Sequence, residues 1–521
     1  MACSSKDSGE AIVNNKIPNL IIALLTACFS FSLAAQPNSS AWFGLQLPAG
    51  IGDPHAASVD VSSANPIAAA IPRGEEGFTQ LQGDTLFAYV GEIVQFSRQS
   101  RADGNRVWGR VTGFESARRT IDWTAQQFRD AGLVNIEVQD YASNGEMWWA
   151  NDWQVTLLAD DAFGPGSRNI VLESSLPTGD SFIEQDSIIA TVIDTGHIDA
   201  AIPDIDINGK IAVQRLNPLT GAYSERTATR ERAQQLMALG AVAVINVVEQ
   251  LGNMHTRDFS RCNGPCFNIG TADGEFLLDA VKRAQQAGLE QELQLQLSLD
   301  ASNLTGLSGQ NVLGIVPGVN GLQGENIVVN AHVDGWYDAA GDNADGLAVL
   351  VAMARHFAQH PPQRTIIFVG SGGHHSSGLN GPSNLVRMNP QLLGSTILVL
   401  NLEHIAQLEI DSSDWSVGPK EQPMSFSITN AAPFLTTLTH AAMARYGFNL
   451  NPQFRTSAPG DLGGYRSLGL PMIQAIHSGP LYHASGDVLE TISVPGLERA
   501  ARFYTYFIDQ IAMADKALID P

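Results

Sequence analysis

From Asn311 onward the sequence predicts an α/β fold: a mixed, largely parallel sheet with helices on both faces, interrupted upstream by a smaller inserted β/α domain. Three observations carry this. Short apolar runs such as "TIIFV" (365–369) and "TILVL" (396–400) alternate with longer amphipathic stretches. The runs are nearly continuous rather than alternating, which marks strands buried on both faces. The chain also holds 49 glycines and 25 prolines, the loop-rich composition that many strand–helix connections require.

Taken in order, residues 36–80 are rich in Ala, Gly, Pro and Ser without a period, and read as a linker or wrapped N-terminal segment. A helical pattern begins at Thr79. In 114–131, Ala117, Ile121, Ala125 and Phe128 fall near one face, and Gly132 closes the helix. "NIEVQDY" (135–141) and "DWQVTLL" (152–158) alternate like strands. Residues 81–165 are therefore assigned to the first part of the main domain, 166–300 to the insert and 301–515 to the rest of the main domain. Within the insert, "NGKIAVQRL" (208–216) is a turn and strand, 227–239 an amphipathic helix ending at Gly240, and "AVAVINVV" (241–248) a buried strand. Beyond it come strands in "NIVVNAHVD" (326–334), "RTIIFVGS" (364–371), "TILVLNLEH" (396–404) and "LPMIQAI" (470–476). Helices are expected over 344–359, 432–446 and 494–512.

With 44% hydrophobic and 16% charged residues the chain is globular rather than disordered, and 521 residues suggest two or three domains. A net charge of −23 argues against nucleic acid and anionic lipid as partners. Lys16 precedes an apolar run over 17–35 that ends in small residues, the pattern of a signal peptide over 1–35. Two other readings stand beside it: a lipobox at 25–28 with Cys28 lipidated, or an uncleaved anchor. Each places the protein outside the cytoplasm, secreted or in the periplasm and cell envelope. Of four cysteines, Cys3 and Cys28 lie in this leader, and "CNGPC" (262–266) offers too few ligands for a metal and suits a short disulfide in an exported chain.

In sheets of this kind ligands gather at the carboxyl ends of the strands. "AHVDGWYDAAGDNADG" places His332, Asp334, Asp338 and Asp342 at one such end. "GSGGHHSSG" places His374 and His375 at the next, "LNLEH" supplies Glu403 and His404, and "HSGPLYHASGD" supplies His477, His483 and Asp487. Buried charges need partners or a metal, and imidazole with carboxylate suits zinc. Asp342 is a candidate bridge between two ions about 3.5–4 Å apart. Strand alternation predicts that His404, next to Glu403, points to the opposite face. Trp336 and Tyr337 either wall a pocket or pack, and Trp148-Trp149 are expected to pack.

"HVD" (332–334), "DNADG" (342–346), "NLE" (401–403) and "YHASGD" (482–487) together resemble the co-catalytic zinc aminopeptidases, peptidase family M28. "WGRVTGFESARRTIDWTAQQFRDAGL" (108–133) is similar to the N-terminal helix region of that family, and "NGKIAVQR" with "AQQLMALGAVAVINV" (233–247) resembles an inserted protease-associated domain. The resemblance implies two divalent ions, zinc, and a peptide or aminoacyl substrate. It implies that His332 and Glu403 bind one metal, His375 and His483 the other, and that Asp342 bridges them. Asp334 would fix the ligating tautomer of His332, and Asp487 would support His483. Asp461 matches a Ser-Asp stretch of the family, either structural or lining the substrate pocket.

Two departures stand out. The family's Glu-Glu pair, general base then ligand, is His374-His375 here, and Glu403 stands where Asp is usual. His375 retains ligand chemistry, and the base's task passes to His374. The expected activity is exported, zinc-dependent hydrolysis of peptide or amide bonds by metal-activated water, as an aminopeptidase. One alternative is a catalytically impaired metal- or peptide-binding protein on the same scaffold. Another is a zinc-dependent aminoacyl cyclase; relatives of that type use one zinc, whereas "DNADG" favours two.

Overall fold

The computed structural model describes residue 45 and residues 59–218, 222–257, 261–448, 450–454, 460–477 and 479–521. The leader expected over 1–35, with Cys28, lies outside the described residues. None of the described helices is long and apolar enough to cross a membrane.

The main sheet has eight strands, in the spatial order Leu450–Phe454, Met424–Ile428, Met472–Ile476, Thr396–Leu402, Asn326–His332, Thr365–Ser371, Ser308–Val316 and Val134–Ala142. Met472–Ile476, Thr396–Leu402, Asn326–His332 and Thr365–Ser371 run parallel, and Ser308–Val316 returns antiparallel. Their continuous apolar character has a direct cause. Val329, Ile366, Phe368, Leu398 and Leu400 pack into one core beneath the helices Gly83–Ala102, Glu115–Ala131, Asp345–Gln359 and Val494–Met513. Their neighbours Val328, Ile367, Val369 and Val399 pack into a second core on the other face, against Leu385, Leu462 and Tyr465. Each such side chain contributes about 1.5–3 kcal/mol on burial, so an apolar residue is favoured on both faces.

The expected helix over 114–131 is observed as Glu115–Ala131, with Ala117, Ile121, Ala125 and Phe128 buried; Gly132 ends it at φ 86°, a conformation that favours glycine. The register of the parallel strands sets where their polar residues emerge. Asn330 lies opposite Asn401 and Val369, Asn401 lies opposite Gln474, and His332 lies opposite Ser371. Four strands therefore release their next residues at nearly one level of one edge.

A second sheet of eight strands occupies the middle of the chain. Its parallel strands Ile188–His197, Ile211–Leu216, Ala243–Val248 and Cys266–Gly270 are flanked by the helices Ala222–Ala238 and Thr271–Ala287. The long antiparallel pair Met147–Leu157 and Gln294–Leu304 extends it, so the sheet begins ahead of residue 166. Trp148 and Trp153 are buried in its core, and Cys262 and Cys266 are disulfide-bonded with Cα atoms 6.2 Å apart. This layer meets the main sheet's functional edge where Thr256 bridges to Ala484 and the Arg257 N–H donates to the His483 carbonyl.

Candidate metal centre

His332 ends its strand fully buried, and its Nδ1 stands 2.9 Å from the main-chain oxygen of Asp334. A carbonyl only accepts, so Nδ1 carries the proton and the Nε2 lone pair faces inward. The chain then loops to Asp342, and the buried Arg110 braces that loop. Its guanidinium donates to the carbonyls of Val333 (3.0 Å), Asp338 (2.8 Å) and Ala339 (3.0 Å). The carboxylate of Asp487 accepts the backbone N–H groups of Gly341 (2.8 Å) and Asp342 (3.0 Å). The main chain at Asp342 is thus held by its neighbours, and both of its carboxylate oxygens are left to the centre.

Around those oxygens the imidazoles converge. The Nε2 atoms of His332, His375 and His404 lie 3.4, 3.3 and 3.0 Å from Asp342 Oδ1, and that of His483 lies 3.2 Å from Oδ2. Neither oxygen of Asp342, nor the Nε2 of His332, His375 or His404, makes a hydrogen bond to a described residue, and all are buried. Burial without a partner is costly for polar atoms, and a cation among them removes the cost. The spacing fits one. Ligands of a tetrahedral zinc with bonds of about 2.0–2.1 Å stand about 3.3 Å apart.

Glu403 and His374 form the adjoining side. Glu403 Oε2 accepts from the amides of Asn401 (2.7 Å) and Gln474 (2.9 Å), the residues the strand register sets beside it. Glu403 Oε1 lies 3.7 Å from His374 Nε2. The His374 ring stacks on that of His332 at 4.1 Å, and its Nδ1 stands 2.8 Å from Asp461 Oδ1. Asp461 is held in turn by Ser371 Oγ (2.7 Å) and Asn330 Nδ2 (3.0 Å). Ligand-capable atoms of His332, His374 and Glu403 all lie within 4.8 Å of one another, as do those of His332, Asp342 and His375. His374 thus stands within ligand reach as well as in a position for proton transfer.

The field of the site is set by these neighbours. Burial pushes the His374 imidazole down, but Glu403 and Asp461 outweigh it and hold it well above the usual histidine range. Burial also pushes Asp342 up, and the imidazoles, His404 foremost, hold it well below the usual carboxylate range. His375, desolvated, is pushed down to about 3, which keeps its ring neutral and its lone pair available.

All five expected ligands, His332, Asp342, His375, Glu403 and His483, come together at one edge of one sheet. Asp334 holds the His332 tautomer as expected, but through its main-chain oxygen; its carboxylate lies 3.6 Å from that ring and also accepts the backbone N–H groups of His374 (3.3 Å) and His375 (3.1 Å). Two expectations need correction. Asp487 supports the backbone at Asp342 rather than His483. His404 does not point to the opposite face: the strand ends at Leu402, and His404, at φ 52°, turns its ring into the site. Asp461 was legible only as one of two alternatives, and the pairing that gives it a role is with His374. The bracing Arg110 had a signal, as an arginine in a short stretch of small and apolar residues, but no motif names it.

The centre opens on a cleft of about 550 Å³ lined from both layers, by Trp336, His374 and His483 together with Trp148, Arg257 and Arg261. The Trp336 ring lies nearly parallel to that of His375 at 6.0 Å, and the Arg257 guanidinium sits 3.8 Å from its centre.

Comparison with known proteins agrees with this geometry. Residues 311–508, which contain the whole candidate ligand set, match peptidase family M28. Aminopeptidase YwaD of Bacillus subtilis (strain 168) is 24% identical over 361 residues, spanning 67% of this chain and 72% of that protein. Among solved structures, the fold is shared with BSAP, a zinc aminopeptidase from Bacillus subtilis (TM-score 0.58, 20% identity, covering 84% of this chain and 98% of that one). It is shared as well with a peptidase M28 precursor from Shewanella amazonensis SB2B (TM-score 0.60, 17% identity, covering 83% and 98%). Matched motif region, shared fold and convergent ligand set lead to one assignment: through residues 311–508 the chain belongs to peptidase family M28.

Proposed function

We propose that this protein is an exported zinc aminopeptidase whose proton carrier is a histidine, His374, where the family pattern has a carboxylate. The observation that carries the reading is the convergence of the His332, His375 and His483 ring nitrogens on Asp342 beside the cleft. The names of its relatives, a zinc aminopeptidase and an aminopeptidase, support the metal and the reaction class. His332 and Glu403, with Asp342, would hold one ion; His375 and His483, with the same Asp342, would hold a second. Zinc, when bound there, polarises a carbonyl oxygen and acidifies water.

The chain's own residues do the rest. Asp461 keeps the proton on His374 Nδ1, and dications held beside the ring would oppose the two carboxylates and free Nε2, the atom that takes a proton from the attacking water and returns it to the leaving amine. Asn401 and Gln474 fix Glu403 by one oxygen and leave the other toward His374. Trp336 and Trp148 are aromatic positions in an otherwise largely polar cleft lining. The second layer, similar in sequence to a protease-associated domain, controls access to the cleft. Export is supported by the leader sequence, the acidic composition and the Cys262–Cys266 disulfide.

The test is a panel of aminoacyl amides and short peptides with purified, zinc-loaded protein, wild type beside His374→Ala. The expected result is hydrolysis by wild type, with kcat/KM lower by about 10²–10⁴-fold in the variant at unchanged metal content. A wild type that holds zinc but turns over no amide would move the assignment to a binding protein. A His374→Ala protein that loses metal in proportion to activity would make His374 a ligand instead of the proton carrier.

A further inference from the structure

We infer that His404 is an additional metal ligand of this centre, a nitrogen donor for which the motif pattern has no position. The inference rests on the metallopeptidase reading, since it concerns the same site.

Ring direction comes first. His404 Nδ1 stands 2.6 Å from the main-chain oxygen of His477, an acceptor only, so Nδ1 carries the proton. The other nitrogen, Nε2, is 3.0 Å from Asp342 Oδ1 and makes no hydrogen bond to a described residue; His404 is 2% exposed. A ring nitrogen this close to a carboxylate oxygen in a dry site needs a cation shared between them, a proton in the metal-free protein or a metal ion in the loaded one. The separation is of the same order as those of His332 and His375 from that same oxygen, 3.4 and 3.3 Å.

The backbone is built to produce this direction. A strand continued through Glu403 would turn residue 404 to the far side of the sheet. Instead the chain leaves the strand after Leu402, and His404 adopts φ 52°, in the left-handed region that a non-glycine residue occupies only under constraint. The constraint comes from the segment after Asp342. Asn343 donates its amide to Leu402 O (2.9 Å) and accepts the His404 N–H (3.3 Å). The carboxylate of Asp345 accepts the next two N–H groups, of Ile405 (2.9 Å) and Ala406 (2.7 Å). The turn is stapled on both sides of His404 to the motif that carries Asp342. A histidine at 375 in place of a carboxylate keeps a donor at that position, and His404 adds a further nitrogen donor to the set. Donors so rich in nitrogen suit zinc, cobalt, nickel or copper over magnesium, calcium or manganese.

The test uses the full mature chain, stripped by chelator and titrated with zinc(II) and cobalt(II), as wild type, His404→Ala and His404→Gln. The readouts are ions bound per chain, the visible spectrum of the cobalt form and the imidazole count from zinc X-ray absorption. The expected result is a loss of affinity of more than about 100-fold for at least one ion, beyond the 10–100-fold typical of an outer-shell partner, together with a lower imidazole count and altered cobalt bands. His404→Gln, which keeps side-chain volume and a polar group, is the arm to read where His404→Ala does not fold. A folded variant with wild-type affinity and an unchanged cobalt spectrum overturns the assignment and leaves the metallopeptidase reading standing. A wild type that takes up neither ion overturns both.

Discussion

Both eight-stranded sheets carry four parallel strands, and in both a row of amide side chains crosses those strands inside the apolar core. In the second sheet the row closes on itself. Gln214 donates to Asn246 at 2.8 Å, Asn246 to Asn268 at 2.9 Å, and Asn268 to the main-chain oxygen of Thr256 at 2.9 Å. In the main sheet the corresponding row passes its hydrogen bonds outward. Asn330 donates to Asn401 and to Asp461, while Asn401 and Gln474 donate to Glu403. One row ends in a neutral carbonyl and is structural. The other ends in carboxylates held at fixed angles beside ring nitrogens that make no hydrogen bond to a described residue. A strand's carboxyl end becomes a site when its polar groups are aimed at something other than each other.

The sharpest way to break that contrast is at Asp342. Asp342→Asn replaces one of the two acceptor oxygens and removes the charge; zinc content by mass spectrometry should collapse, and kcat/KM should fall by about 10⁴-fold or more. Unchanged metal content would mean that the imidazoles are not gathered round a cation. Next in size is Asp461→Asn, at the outward end of the row. Glu403 and Asp461 together hold the His374 imidazole above its usual range, so removing one carboxylate lowers it. The acidic limb of the kcat/KM–pH profile should therefore move to lower pH, with a loss of about 10–100-fold at the optimum. A purely structural Asp461 would lower stability and leave the limb in place. The smallest effect belongs to the second sheet. Asn246→Ala strands the Gln214 donor and the Asn268 acceptor, which costs about 2 kcal/mol and lowers Tm, with metal content and kcat/KM at wild-type values. A change in metal content there would show that the two rows are coupled.

Much of the main sheet was legible because its strands are buried on both faces and so read as unbroken apolar runs. His332, Asp342, His375, Glu403 and His483 were legible because each follows such a run within a motif. What escaped did so for identifiable reasons. His404 was assigned by strand alternation, which fails once the chain leaves the strand, and a left-handed residue other than glycine leaves no mark in local propensity. The carboxylate of Asp334 binds backbone N–H groups about forty positions away, and no spacing rule reports that. Met147–Leu157 joins the second sheet by pairing with Gln294–Leu304, a long-range contact invisible to any window of sequence.

The tie between the layers has a consequence for diet. The Arg257 N–H donates to the His483 carbonyl at 3.0 Å, next to the Thr256–Ala484 bridge, so the rim of the cleft is hydrogen-bonded directly to the loop that carries His483. On the aminopeptidase reading, a cleft of about 550 Å³ would suit the frayed tip of a chain better than a folded surface. Such a protein would act downstream of endoproteases, as a scavenger of fragments others have already cut.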